Sequence, residues 1–231
     1  MMRLDKYISH YFNISRQEAR EAIKKEKVKV NNKIIKDSSF EINELKDMIT
    51  YQDKNIQYEE YVYYLFNKPP GFVTSNNDYK YHYVMEYFQN LPYYKDLFPV
   101  GRLDLDSTGL LLITNDGALS HKLLSPNHHV NKTYEITTLE ELTEEDINTL
   151  EKGIILDKKL TSPSTIKKVG AKCYHITISE GRYHQVKRMI DYAFNEFKVN
   201  NIFAGHNAAN FLDGVPQLLS LILGKISRTT G

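Results

Sequence analysis

Apolar positions set two different rhythms along the first sixty residues. Leu4, Tyr7, Ile8 and Phe12 fall three and four residues apart, the spacing of one helix face, and predict a short first helix. Ser15 and Glu18 then stand as an S-x-x-E pair, whose hydroxyl and carboxylate can satisfy the free N–H groups at a helix start. A second helix is expected from that point, with Ala19, Ala22 and Ile23 on its inner face. The rhythm changes at Val28-Lys29-Val30 and Lys33-Ile34-Ile35, which flank Asn31-Asn32. Asparagine tolerates positive φ, so a tight hairpin is predicted there. Beyond it the pattern weakens, with one strand expected near 47–51 and a domain boundary near 57–60.

From residue 61 the apolar residues come in short runs. Residues 62–66 predict a buried strand, and Lys68-Pro69-Pro70-Gly71 must end it because proline donates no ladder hydrogen bond. Residues 110–113 predict a second strand, stopped by Asn115-Asp116-Gly117, and 132–138 a third. Helices are expected over 118–124, over 144–152 with Thr143 as N-cap, and over 184–193. Strands interleaved with a few helices, without regular βαβ units, predict an α+β domain on a mainly antiparallel sheet. A last apolar run lies at 218–223.

Composition narrows the class without changing this outline. The chain has 231 residues, 41% of them hydrophobic and 26% charged, which fits a globular protein of one or two domains. Its apolar runs are too short to span a bilayer, its N-terminus lacks a secretory signal, and its single cysteine, Cys173, cannot form an internal disulfide. A cytoplasmic protein with no membrane partner is expected. Charge does change the picture. Residues 1–36 hold ten Lys or Arg against four Asp or Glu, so +6 in a chain whose formal total is +1, leaving −5 for the rest. Arg16, Arg20, Lys24 and Lys27 follow at steps of four, four and three and line one outer face of the second helix. Such a stripe suits a polyanion, since each neutralised phosphate releases counterions; it is equally the pattern of a solvated face.

Candidate chemistry is densest at 101–117, where a Gly-Arg-Leu-Asp tetrapeptide ends at Asp104, Asp106 follows, and Gly109 leads into an apolar strand. Functional residues often sit on loops braced by such an element. By spacing alone the Asp104-x-Asp106 pair has three readings: a catalytic carboxylate, two oxygen ligands for the divalent cation of a phosphodiesterase, or a turn cap. A histidine metal site is not indicated, because His82, His121, His128, His129 and His184 fall in no H-E-x-x-H motif and no C-x-x-C accompanies them.

Gly101-Arg102-Leu103-Asp104 with Thr108-Gly109-Leu110-Leu111, Lys132-Thr133-Tyr134, and Gly181-Arg182-Tyr183-His184-Gln185-Val186-Lys187-Arg188-Met189 together resemble the bacterial ribosomal small-subunit (16S) pseudouridine synthase family. Upstream, Arg3-Leu4-Asp5-Lys6-Tyr7-Ile8, Ser15-Arg16 and Val28-Lys29-Val30-Asn31 resemble the αL RNA-binding motif that several RNA-modifying enzymes share with a small-subunit ribosomal protein. The resemblance covers residues 2–195; the sequence after 195 departs from the family pattern.

This resemblance implies a small αL RNA-binding domain at 1–58, a pseudouridine synthase catalytic domain at 61–231, and isomerisation of a uridine in ribosomal RNA. By position, Asp104 is implied as nucleophile, Tyr134 as the residue that packs on the target base and accepts a proton, and Lys187 as the basic partner of the aspartate. Arg102 is implied to contact RNA beside the flipped nucleotide, and His184 to buttress the site. With Arg182 and Gln185 of the same motif, and Arg3, Arg16, Arg20, Lys24 and Lys27 of the αL module, they make up the expected RNA-binding set. Asp106 has no catalytic counterpart in the family and is read as a turn residue. The reaction exchanges no electron and no external group, so neither cofactor nor metal is implied. The expected partner is 16S rRNA or the assembling small subunit, bound by a monomer. Two other readings stay open: a synthase for large-subunit RNA, whose members share the motifs, and a non-catalytic ribosome-associated protein with an inactive synthase domain.

Overall fold

The structure, a computed structural model, describes residues 1–56, 58–125 and 130–194. They divide into two compact units, one of residues 1–64, 85–98 and 113–116, the other of 65–84, 99–112 and the described residues from 117 onward. The run at 218–223, His128 and His129 lie outside the described residues.

In the first unit, β1 (Met2–Arg3) leads into α1 (Leu4–Phe12), which ends where Asn13 adopts the left-handed conformation. Ser15 and Glu18 form the expected reciprocal cap at the start of α2 (Arg16–Lys24). The hairpin of β2 (Val28–Val30) and β3 (Lys33–Ile34) turns on Asn31 and Asn32 at φ 49° and 65°, the positive values that such a two-residue turn requires. β4 (Glu41–Ile42) pairs with β1, while β5 (Ile49–Tyr51) and β6 (Lys54–Ile56) complete a four-stranded sheet ordered β3-β2-β5-β6. Leu4, Ile8, Ala19, Ile23, Val28, Ile42 and Ile49 make its core. The helical stripe and the hairpin alternation therefore meet in one apolar layer.

β7 (Tyr63–Lys68), β8 (Phe98–Val100) and β9 (Gly109–Thr114) form a three-stranded sheet ordered β7-β9-β8. β9 is central and almost wholly buried. The strand expected at 62–66 is shifted to β7 and is not buried throughout: Leu65 is exposed, and the fully buried residue is Lys68. A strand at a sheet's edge covers only part of its surface, so an apolar run there need not be core.

α3 (Gly117–Leu124), β10 (Lys132–Thr137) and α4 (Glu144–Lys152) fall where the sequence predicts them, with Thr143 and Asp146 capping α4. The tight hairpin β11 (Ile155–Leu156) and β12 (Lys159–Leu160) follows, then β13 (Thr165–Gly170), β14 (Cys173–Ile178) and α5 (Gln185–Phe194). β10, β14 and β13 form an antiparallel sheet in that order, with Tyr134 opposite Ile176. Leu150 of α4, Tyr174, Ile176 and Ile178 of β14, and Met189 and Ile190 of α5 share its core. The β13–β14 hairpin was not anticipated, although Tyr174, Ile176 and Ile178 alternate inward as a half-buried strand should. No helix among the described residues is long and apolar enough to cross a membrane.

Candidate active site

The loop between β8 and β9 carries Asp104. Gly101 opens it at φ 80°, where an added Cβ would also meet the Leu124 side chain at 3.3 Å, so the position favours glycine on two counts. The chain turns again at Asp104, whose carbonyl accepts from the Ser107 N–H at 3.1 Å. The residues on both sides of Asp104 are fastened to the segment that follows β7. Gly71 N–H donates to the Leu105 carbonyl at 2.7 Å. Thr74 Oγ1 donates to the Leu103 carbonyl at 2.8 Å and accepts from the Leu103 N–H at 3.0 Å.

Lys68, which the sequence does not single out, braces the loop that carries Asp104. Its Nζ donates to the carbonyls of Ser107, Pro69 and Leu105 at 2.7, 3.0 and 3.3 Å, three acceptors for the three donors of an ammonium. Burial pushes its pKa down to about 8, while the nearby charges of Asp106 and Asp104 pull the other way. A lysine closing an apolar strand was the available signal, but two of the three carbonyls that receive it, those of Leu105 and Ser107, lie almost forty residues further along the chain.

α5 and the residue before it bring the nitrogen partners of Asp104. His184 precedes it at φ 48°, and its carbonyl accepts from the Arg188 N–H. Its Nε2 lies 3.3 Å from Asp104 Oδ1. Lys187 Nζ lies 3.4 Å from Asp104 Oδ2 and 2.5 Å from Asp106 Oδ1. The expected partners do meet, but the nearer carboxylate is Asp106, which corrects its reading as a turn residue only. The turn closed by Ser107 brings both carboxylates to one ammonium. Burial disfavours both charges, yet pairing outweighs it, so Lys187 is raised and Asp106 lowered from their ordinary values.

Tyr134 sits half-buried on β10. Burial first, then the Asp104 charge, pushes its phenol up to about 12. At neutral pH it offers a flat face and a donating hydroxyl, and it can take up a proton only by handing on its own. Arg102 is exposed, and its side chain bonds to no other described residue.

Two motif residues expected at the RNA turn out to fasten the scaffold. Arg182 donates to the carbonyls of Leu156, Lys159 and Leu160 in the β11–β12 hairpin and pairs with Glu180. Gln185 is buried, accepting from the Arg182 N–H and donating to Glu180, each at 2.9 Å. Outward carbonyls of a short hairpin need donors, and Arg182 supplies them.

The basic stripe of the first unit is likewise only partly a free surface. Arg3, Arg16 and Arg20 all donate to Asp5, which is fully buried at the start of α1, at 2.7–3.2 Å. Burial alone would push the Asp5 carboxyl up, but the three guanidinium groups outweigh it and hold it well below the usual carboxylate range. The three arginines keep about half of their side-chain surface exposed, so the cluster still presents positive charge outward. Lys24 and Lys27 are exposed, and their side chains pair with no other described residue. Among the described residues no group of three His, Cys, Asp or Glu is placed to hold a metal ion.

Residues 62–192 match the RNA pseudouridylate synthase family, and residues 2–49 match the S4 domain. The ribosomal small subunit pseudouridine synthase A of Haemophilus influenzae is 40% identical over 191 residues, 81% of this chain and 82% of that protein. The protein of the same name from Escherichia coli K12 is 37% identical over 190 residues, with the same shares covered. An RNA pseudouridine synthase of Bacillus subtilis, described as uncharacterized, is 36% identical over 200 residues, 84% of each chain. A solved structure titled as a pseudouridylate synthase aligns with a TM-score of 0.57 at 38% identity, over 88% of this chain and 87% of that one.

Proposed function

The chain belongs to the RNA pseudouridylate synthase family, and from that premise we propose that it converts a specific uridine of 16S rRNA to pseudouridine with Asp104 as nucleophile. The observation that carries this reading is the setting of Asp104: a partly exposed carboxylate that meets the His184 imidazole at 3.3 Å and the Lys187 ammonium at 3.4 Å, on a loop fastened at both neighbours. The reaction is redox-neutral. The bond from the sugar carbon to base N1 breaks, the base turns, its C5 joins the same carbon, and the C5 proton is lost as N1 gains one. Side chains suffice for these steps, so the enzyme works without metal or organic cofactor.

The target base must first leave its stack. Asp104 then faces the sugar, Lys187 and His184 hold its carboxylate in place, and Tyr134 receives the base on its ring. Arg102, long and planar, holds RNA beside the flipped nucleotide. Residues 1–58 supply affinity through the arginine cluster with Lys24 and Lys27, and residues 61–231 supply the chemistry, in a cytoplasmic monomer. The likeness to small-subunit synthases over four-fifths of the chain supports 16S rRNA or the assembling small subunit as partner.

Carbodiimide labelling and primer extension on ribosomal RNA from cells with and without the gene test this reading. One small-subunit pseudouridine should disappear with the gene. Loss confined to large-subunit RNA would move the substrate there, and no loss at all would overturn the proposal.

A further inference from the structure

Residues 75–83 leave and rejoin the second unit at one place. Val73 N–H donates to the His82 carbonyl at 2.9 Å, Val84 N–H donates to the Val73 carbonyl at 3.0 Å, and Val73 bridges Tyr83. Inside this closed loop Asp78 accepts from the N–H groups of Lys80 and Tyr81 at 2.8 and 2.9 Å. Backbone hydrogen bonds thus set the loop's shape and leave the side chains at its tip outside that work. Tyr79 is fully exposed, Tyr81 keeps over a third of its surface in water, and the Lys80 ammonium stands 5.0 Å from the centre of the Tyr81 ring. Rings held in water add no core to the fold and leave their faces open to a ligand.

The loop's root is the segment already described at the nucleophile. Gly71 bonds to Leu105 and Thr74 bonds to Leu103, the two neighbours of Asp104. Whatever reaches Asp104 therefore arrives beside the base of this loop. A nucleotide extruded from an RNA stack leaves its neighbours with an open face. Aromatic side chains accept the π-face of any base, and a lysine among them meets phosphate.

We propose that Tyr79, Lys80 and Tyr81 form a second RNA contact, on which single-stranded nucleotides next to the target uridine stack. This deepens the functional reading above and rests on it. The loop contributes affinity for the unstacked RNA and takes no part in the bond exchange at Asp104.

The chain contains no tryptophan, so Tyr79→Trp places a lone indole at the loop tip. Protein-free small-subunit RNA should quench its emission. In parallel, Tyr79→Ala with Tyr81→Ala should raise the concentration of partly assembled small-subunit particles needed for half-maximal turnover by about tenfold or more, with the saturated rate nearly unchanged. An unquenched indole on protein-free RNA overturns the proposal, and if the particles alone show an effect the loop meets a ribosomal protein instead. A quench with unchanged half-saturation overturns it as well. Tyr79 makes no packing contact, so its substitution leaves the fold standing, which a thermal melt verifies. The wild-type chain is assayed alongside: if it fails to turn over, the substrate assignment fails, while the indole still reports whether RNA meets the loop.

Discussion

Asp5 and Asp104 each face more than one basic side chain, but they differ in burial and in the distance of those partners. Asp5 is fully buried and receives four hydrogen bonds, from Arg3 twice, Arg16 and Arg20, which fill the four acceptor positions of a carboxylate. Asp104 is partly exposed, and its two partners, the His184 ring and the Lys187 ammonium, stand back at 3.3 and 3.4 Å, the lysine held closer by Asp106. A saturated carboxylate has nothing left to offer a substrate; one with more distant, shared partners keeps lone pairs free. That difference fits Asp5 to a structural part and supports the proposal of Asp104 as nucleophile.

The comparison breaks most directly at Asp104→Asn. The amide keeps the size but not the nucleophilicity, so turnover should fall by about a thousandfold or more while RNA binding holds. Unfolding free energy should stay within about 0.5 kcal/mol, and single-turnover assays with parallel binding and melting measurements decide it. Asp5→Ala should do the reverse. Three guanidinium groups left facing each other should destabilise the first unit by about 3–5 kcal/mol in urea titrations, without removing any group from the reaction. Because the folded Asp5 carboxyl is depressed, its contribution is present above the unfolded value of about 3.9 and is lost as pH falls below it. Wild-type unfolding should show that acid loss, and Asp5→Ala should show a smaller one, since Glu18, Asp37 and Asp47 are also held low.

Asp106→Asn sharpens the contrast by letting Lys187 settle onto Asp104. An Asp104 tied as closely as Asp5 should react more slowly, by about tenfold in single turnover, at unchanged RNA affinity. Asp106→Glu, whose carboxylate can still reach Lys187, should recover most of the rate. The smallest effect concerns Lys68. Above pH 8 its amine keeps two donors for three carbonyls, so turnover should drift down by a few-fold between about pH 8 and 9.5. Its folded pKa lies below the unfolded value, so the same rise in pH relieves the cost of burying the ammonium and adds stability from about 8 to 10.4. Activity and stability should therefore diverge in that window, and Lys68→Met should remove the divergence.

Much of this was legible before the structure. Local chemistry announces itself locally: the Ser15–Glu18 cap, the Asn31-Asn32 turn and the stripes of α1 and α2 all appear where spacing puts them. Asp104, Tyr134 and Lys187 were marked by motif, and the second unit brings them together. What stayed hidden was tertiary pairing. The i,i+4 steps of Arg16 and Arg20 cannot show that Asp5 of another helix lies beneath them, and no pattern around Arg182 announces three hairpin carbonyls. Asp106 looked like a turn residue because its partner is eighty-one positions away.

The ladder that holds Tyr134 also bears on how this chain can change in length. β10 pairs with β14 at six consecutive positions, from Lys132 with Ile178 to Thr137 with Cys173. Successive side chains point to opposite faces, so one residue inserted between Lys132 and Tyr134 would turn the tyrosine to the far side of the sheet. Residues 75–83 obey no such constraint, since their ends are already joined through Val73, His82 and Val84. Descendants of this sequence can therefore gain or lose residues at the loop tip without disturbing Asp104, while β10 admits substitution but no change in length.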